Sequence, residues 1–180
     1  RNLLKRLAKQ AGKMVMNKVG TIATEISSIG FSMKEFVFDI EADNLLPGIT
    51  KIHCLSYAEV GGVSKGTIYS QQEINEFFNH DYLYIGHHII GYDFKALNKI
   101  YGIKRPKHFF DTLPWSWYLF PDRAEHGLES WGEDFGVPKP KIDNWQDLTI
   151  EEYTHRCEED VKINTKLYQL VKSKMKEIYS

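Results

Sequence analysis

The chain of 180 residues is long enough for one well-formed core and too short for two ordinary domains. Its 42% hydrophobic, 26% charged and 13% aromatic residues exclude a largely disordered chain, its two cysteines exclude a disulfide framework, and no apolar run is long enough to span a membrane. The net charge of −1 hides an asymmetry: in residues 1–30 Arg1, Lys5, Arg6, Lys9, Lys13 and Lys18 face Glu25 alone, so this segment carries +5 and the remainder −6. An acidic body disfavours nucleic acid in general, yet a metal site needs local acidity, so a nucleic-acid substrate is not excluded.

Residues 1–32 interleave those bases with Leu3, Leu4, Leu7, Met14, Met16 and Val19, the pattern of a basic amphipathic helix. Contact with DNA phosphates, contact with a partner and a plain solvated face are all open readings of it. From Met33 the chain changes character. KEFVFDIE reads as a central strand and KIHCLSYAEV as its antiparallel neighbour; Gly61 and Gly62 turn the chain into VSKGTIYS. QQEINEFFN follows as a short helix capped by Ser70 with Glu73 three residues on, then YLYIGH as a fourth strand. FKALNKIYG is a helix stopped by Gly102, and HFFDT a short fifth strand. Helical segments around LPWSWYLF and HGLESWGEDFG lead through the loop VPKPKIDNW to a long last helix, opened by a Thr149–Glu152 capping box. The order describes an α/β fold: a mixed five-stranded sheet with helices on both faces, preceded by the basic segment. The chain divides accordingly into residues 1–32 and a domain over 33–180.

The chemistry is carried by carboxylates. Asp39 and Glu41 alternate along the first strand, so they share one face about 7 Å apart, an arrangement that is costly unless positive charge lies between them. Asp93 stands after the fourth strand at the start of a helix. Asp160 lies in the last helix beside its apolar stripe, which turns it toward the sheet. Each acid alone has an ordinary reading as a cap or a solvated residue. Together, four acids from two strand ends, a helix start and a helix interior suit two Mg2+ ions, with Mn2+ as a substitute, clamping the attacking and leaving oxygens of a phosphodiester.

FDIEADNLL with TKIHC, GHHIIGYD, DTL, HGLESWG and CEEDV resemble, in order and spacing, the DEDD-type (DnaQ-like) 3′–5′ exonucleases, and look most like the proofreading domain of the family A DNA polymerases of T-odd phages. The likeness runs from about residue 35 to 176. It implies a ribonuclease H-like fold, Asp39, Glu41, Asp93 and Asp160 as catalytic metal ligands, and removal of nucleotides from the 3′ end of DNA. It further implies single-stranded 3′ ends as partners, a polymerase domain as a possible companion, and a cytoplasmic setting in a phage-infected host. Ala42, Asp43, Asn44 and Leu45 correspond to the pocket for the terminal nucleotide, with Tyr92 as a stacking candidate. His126 and Trp131 match the pattern as packing residues, and Trp115 and Trp117 are expected in the core.

Two positions depart from that pattern. His88 stands where the family has Asn, five residues before Asp93, and is kept as a possible hydrogen-bond donor to substrate. Arg156 stands where related polymerases have a Tyr that orients water, and a guanidinium stays protonated, so its candidate role is a phosphate contact. The other branch of the superfamily uses His five residues before the last Asp, a spacing that His155 matches, making it the candidate general base. In a continuous helix, however, Arg156 lies about 40° and His155 about 140° around the axis from Asp160. His155 would need a break in the helix. The alternatives to a DNA exonuclease are an exonuclease-fold module that binds 3′ ends or a partner without cutting, and an RNA-directed exonuclease.

Overall fold

The computed structural model describes residues 33–137, 139–140, 142 and 148–180. The basic amphipathic segment read over residues 1–32 lies outside them.

Alternation in the first strand decides how the molecule is layered. In β1 (Glu35–Ala42) Phe38 and Ile40 enter one apolar cluster while Val37 enters another, so the strand is buried on both faces and must be central. It pairs antiparallel with β2 (Ile52–Glu59), which pairs with β3 (Lys65–Ile68); on its other side it runs parallel to β4 (Leu83–Gly86), itself parallel to β5 (Phe109–Asp111). The order is β3-β2-β1-β4-β5. This is the mixed five-stranded sheet read from the sequence.

One face is covered by α1 (Gln71–Phe77) and α2 (Asp93–Tyr101), through Ile74, Phe94, Ala96 and Leu97. The other is covered by α3 (Thr112–Leu119), α4 (Leu128–Asp134) and α5 (Ile150–Tyr179), through Leu119, Leu128, Trp131, Ile163, Leu167, Tyr168 and Val171. Both expected capping boxes form: Ser70 with Glu73 opens α1, and Thr149 with Glu152 opens α5. Gly102 closes α2 at φ 69°, a left-handed conformation that only glycine adopts freely. α5 runs unbroken for 30 residues.

The aromatic expectations divide. Trp131 is buried and Trp115 is half-buried against the α5 side of the core, but Trp117 is 59% exposed, which corrects its assignment to the core. α3 is apolar on all sides, so periodicity in LPWSWYLF could not say which tryptophan faces in. The exposed indole stacks on His126 with centroids 4.2 Å apart.

Candidate metal centre and active site

Asp39 and Glu41 share with Val37 the odd-numbered face of β1, the face that α5 covers. Toward the C-terminal end of the strand this face changes from valine to carboxylates. There α5 contributes Arg156, Cys157 and Asp160: the Cys157 thiol donates to the Asp39 carbonyl at 3.2 Å, and Arg156 Nε donates to Glu41 Oε1 at 2.8 Å. The carboxylates of Asp39, Glu41 and Asp160 offer ligand atoms all within 4.8 Å of one another. Asp93 lies with Asp39 and Asp160 in the wall of a cavity of about 430 Å³. The site occupies the C-terminal ends of parallel β1 and β4, where open α/β sheets commonly place their ligands.

Asp93 gets there through a tightly determined loop. Gly86 ends β4 where a Cβ would sit 2.1 Å from Ile89 Cγ2, so only glycine lets the chain fold back. His88 follows at φ 65°. That conformation is uncommon for residues with a Cβ but several-fold enriched in Asn and His, which gives a physical reason for either residue at this position. The Asp111 carboxylate clips the loop by accepting from the backbone N–H groups of His88 (2.8 Å), Ile90 (3.0 Å) and Leu113 (3.1 Å). α2 then starts with Tyr92 as N-cap, with no side-chain cap bond, and Asp93 follows as its first residue, buried at 4% exposure.

The electrostatics are those of acids crowded out of water. Asp39 is pushed well above the usual carboxylate range by burial first, then by Asp160, Asp93 and Glu41. Burial raises Glu41 to about 7 against the opposing Arg156, and Asp93 to about 8. Burial also raises Asp160, while Lys139, whose Nζ is 2.7 Å from Asp160 Oδ2, pulls the other way. Asp160 Oδ1 is buried without a hydrogen-bond partner among the described residues. Hard oxygen donors in close register, held in protonation states that a divalent cation would relieve, fit a divalent metal ion.

The remaining candidates fall in two groups. Leu45 is 72% exposed and, with His88 and Tyr92, lines the same cavity as the acids. Ala42 is half-buried at the bulge that ends β1. Asn44 is exposed; its side chain accepts from Leu45 N at 2.7 Å and its carbonyl accepts the Tyr92 hydroxyl at 2.7 Å. Asp43 pins the base of this loop by accepting from the Thr50 and Lys51 amides and the Thr50 hydroxyl; although desolvation works against it, these bonds hold its carboxyl down to about 2. His155 is in the other group. It is exposed, and it lines a surface groove with Tyr69, Glu151 and Glu158, because the unbroken α5 turns it away from Asp160. The structure therefore removes His155 from the acids and leaves Arg156 among them. Two residues of the site carry no signal in the sequence: Lys139, in the loop VPKPKIDNW, and Asp111, whose loop-holding role no spacing announces.

No family model matches the chain, and no curated protein does. Solved structures do. Brucella melitensis NrnC aligns with TM-score 0.63 at 16% identity over 82% of this chain and 76% of that one. The catalytic core of RRP6 from Trypanosoma brucei aligns at 0.60 and 12% over 90% and 46%, and the Aedes aegypti Nibbler EXO domain at 0.57 and 12% over 88% and 84%. The fold is ribonuclease H-like. One of the matching NrnC structures holds Mg2+ and another pGG. Within this ribonuclease H-like frame the acids of the present chain stand on a central strand, at the start of the helix that follows a parallel strand, and in the last helix.

Proposed function

We propose that this protein is a metal-dependent 3′–5′ exonuclease that hydrolyses phosphodiester bonds from the 3′ end of DNA and releases 5′-monophosphates. The observation that carries the reading is the convergence of Asp39, Glu41 and Asp160 within 4.8 Å, with Asp93 in the same cavity. The exonuclease motifs of the sequence and the ribonuclease H-like fold support it, as do the Mg2+ and pGG of the NrnC structures. Asp39, Glu41, Asp93 and Asp160 are the ligands for two Mg2+ or Mn2+ ions, which when bound activate water and neutralise charge on the phosphate. Leu45, Asn44, Ala42 and Tyr92 receive the terminal nucleotide, in a loop that Asp43 stiffens. Arg156 fixes the Glu41 carboxylate and brings a permanent positive charge to the site. The domain so defined spans residues 33–180. Its placement as the proofreading unit of a phage family A polymerase, or as a stand-alone nuclease of that lineage, rests on the motif set. Among the described residues no helix is long and apolar enough to cross a membrane.

One observation favours a second reading. Arg156, at the position of the water-orienting Tyr, occupies Glu41, and His155 is not there to replace the Tyr. A domain that grips 3′ ends without cutting would have this appearance. Digestion of 3′-labelled single-stranded DNA and of the same sequence in RNA separates these readings and tells DNA from RNA substrates: stepwise, metal-dependent shortening is expected, and binding without shortening would establish the module instead.

A further inference from the structure

The four acids and the cations that touch them make an uneven charge pattern. Arg156 engages Glu41 at 2.8 Å and Lys139 engages Asp160 at 2.7 Å. Lys139 comes from the loop between α4 and α5, its side chain is only 16% exposed, and it lines the same cavity as Asp39, Asp93 and Asp160. Its carboxylate partner, Asp160, is 5% exposed, with Oδ2 on the ammonium and Oδ1 buried without a partner among the described residues. With all four carboxylates ionised, the form in which they ligate a metal, one guanidinium and one ammonium leave two negative charges, the complement of a single divalent ion. A second divalent ion on the Asp160 side would stand against an ammonium held on the same carboxylate, in surroundings where like charges are poorly screened.

We propose that Lys139 sets the ion count of this site: the acids hold one divalent ion tightly, and Lys139 supplies the positive charge on the Asp160 side that makes the second ion weak until a phosphodiester arrives. The inference rests on the metal-nuclease reading and concerns a residue to which that reading gives no part. Lys139 acts here as a positioning residue, through Asp160.

Titration of the full chain with Mn2+ alone, followed by calorimetry and by the paramagnetic signal of the free ion, tests it without any turnover. The wild type is expected to bind one ion tightly and a second at least about tenfold more weakly. Lys139→Met, with Lys139→Gln as a second neutral variant should the first not fold, is expected to tighten the second ion by about tenfold or more, and Lys139→Arg to behave as the wild type. Ion binding that is the same in the wild type and in a folded neutral variant would overturn the role of Lys139 while leaving the metal site standing. Absence of any ion binding in the wild type would overturn the metal-nuclease reading and this inference with it.

Discussion

Asp39, Glu41, Asp93 and Asp160 are costly residues, and the cost has a pH signature. The folded protein keeps protons on Glu41 up to about 7 and on Asp93 up to about 8, whereas an unfolded chain loses them near the ordinary carboxylate range. Above that range the unfolded state binds fewer protons than the folded one, so stability falls as pH rises through 7 and 8. Below about 6.5 the half-buried His87, held down to about 4 by desolvation of its ring, opposes this trend because the unfolded imidazole gains a proton that the folded one resists. The melting temperature in chelator is therefore expected to decline between pH 6.5 and 8.5, and Mg2+ to flatten the decline by binding the ionised acids. A pH-independent melting curve in that window would contradict the burial of these acids. His155→Ala, at an exposed position away from the acids, is expected to leave turnover within about twofold, whereas loss of a general base costs about 10²-fold or more. Asp39, Glu41 and Asp160 were legible because alternation and helical spacing fix which face they take, and Asp93 because it opens a helix directly after a strand. The left-handed φ of His88 and the reach of Lys139 into the site were not, because neither follows from a period along the chain.

At the scale of elements, the site depends on a loop and a helix terminus. Asp111 accepts from three backbone N–H groups and so fixes the path from β4 to Asp93. Asp111→Ala is expected to destabilise by about 1–3 kcal/mol in urea unfolding and to weaken Mn2+ binding, since a donor that loses its partner costs up to about 1–3 kcal/mol where water does not replace it. An unchanged midpoint would mean that the loop is held by other bonds. Thr149→Ala removes the α5 N-cap and half of its capping box, an expected loss of about 1 kcal/mol measured the same way. Element types and the two caps were readable because hydrophobic period and cap chemistry are local. The outward turn of Trp117 was not, because an all-round apolar helix has no preferred face until its neighbours are placed.

Over the whole molecule, β1 and β4 are shared by two apolar clusters, one under α1 and α2 and the other under α3, α4 and α5. The sheet therefore joins them into one folding unit, and Leu167→Ala, at a fully buried position, is expected to cost about 2–5 kcal/mol in a single cooperative transition. The same central strand carries the apolar residues of both clusters and the first two acids, which is why the fold and the site could be read together from one stretch of sequence. The most direct test of the account is digestion of 3′-labelled single-stranded DNA with Mg2+, Mn2+ or chelator by the wild type, Asp39→Ala and Asp160→Ala. The account predicts stepwise, metal-dependent shortening by the wild type and none by either variant, with both variants melting at or above the wild-type temperature because a crowded buried charge has been removed. Undiminished digestion by both variants, or none by the wild type in either metal, would contradict it.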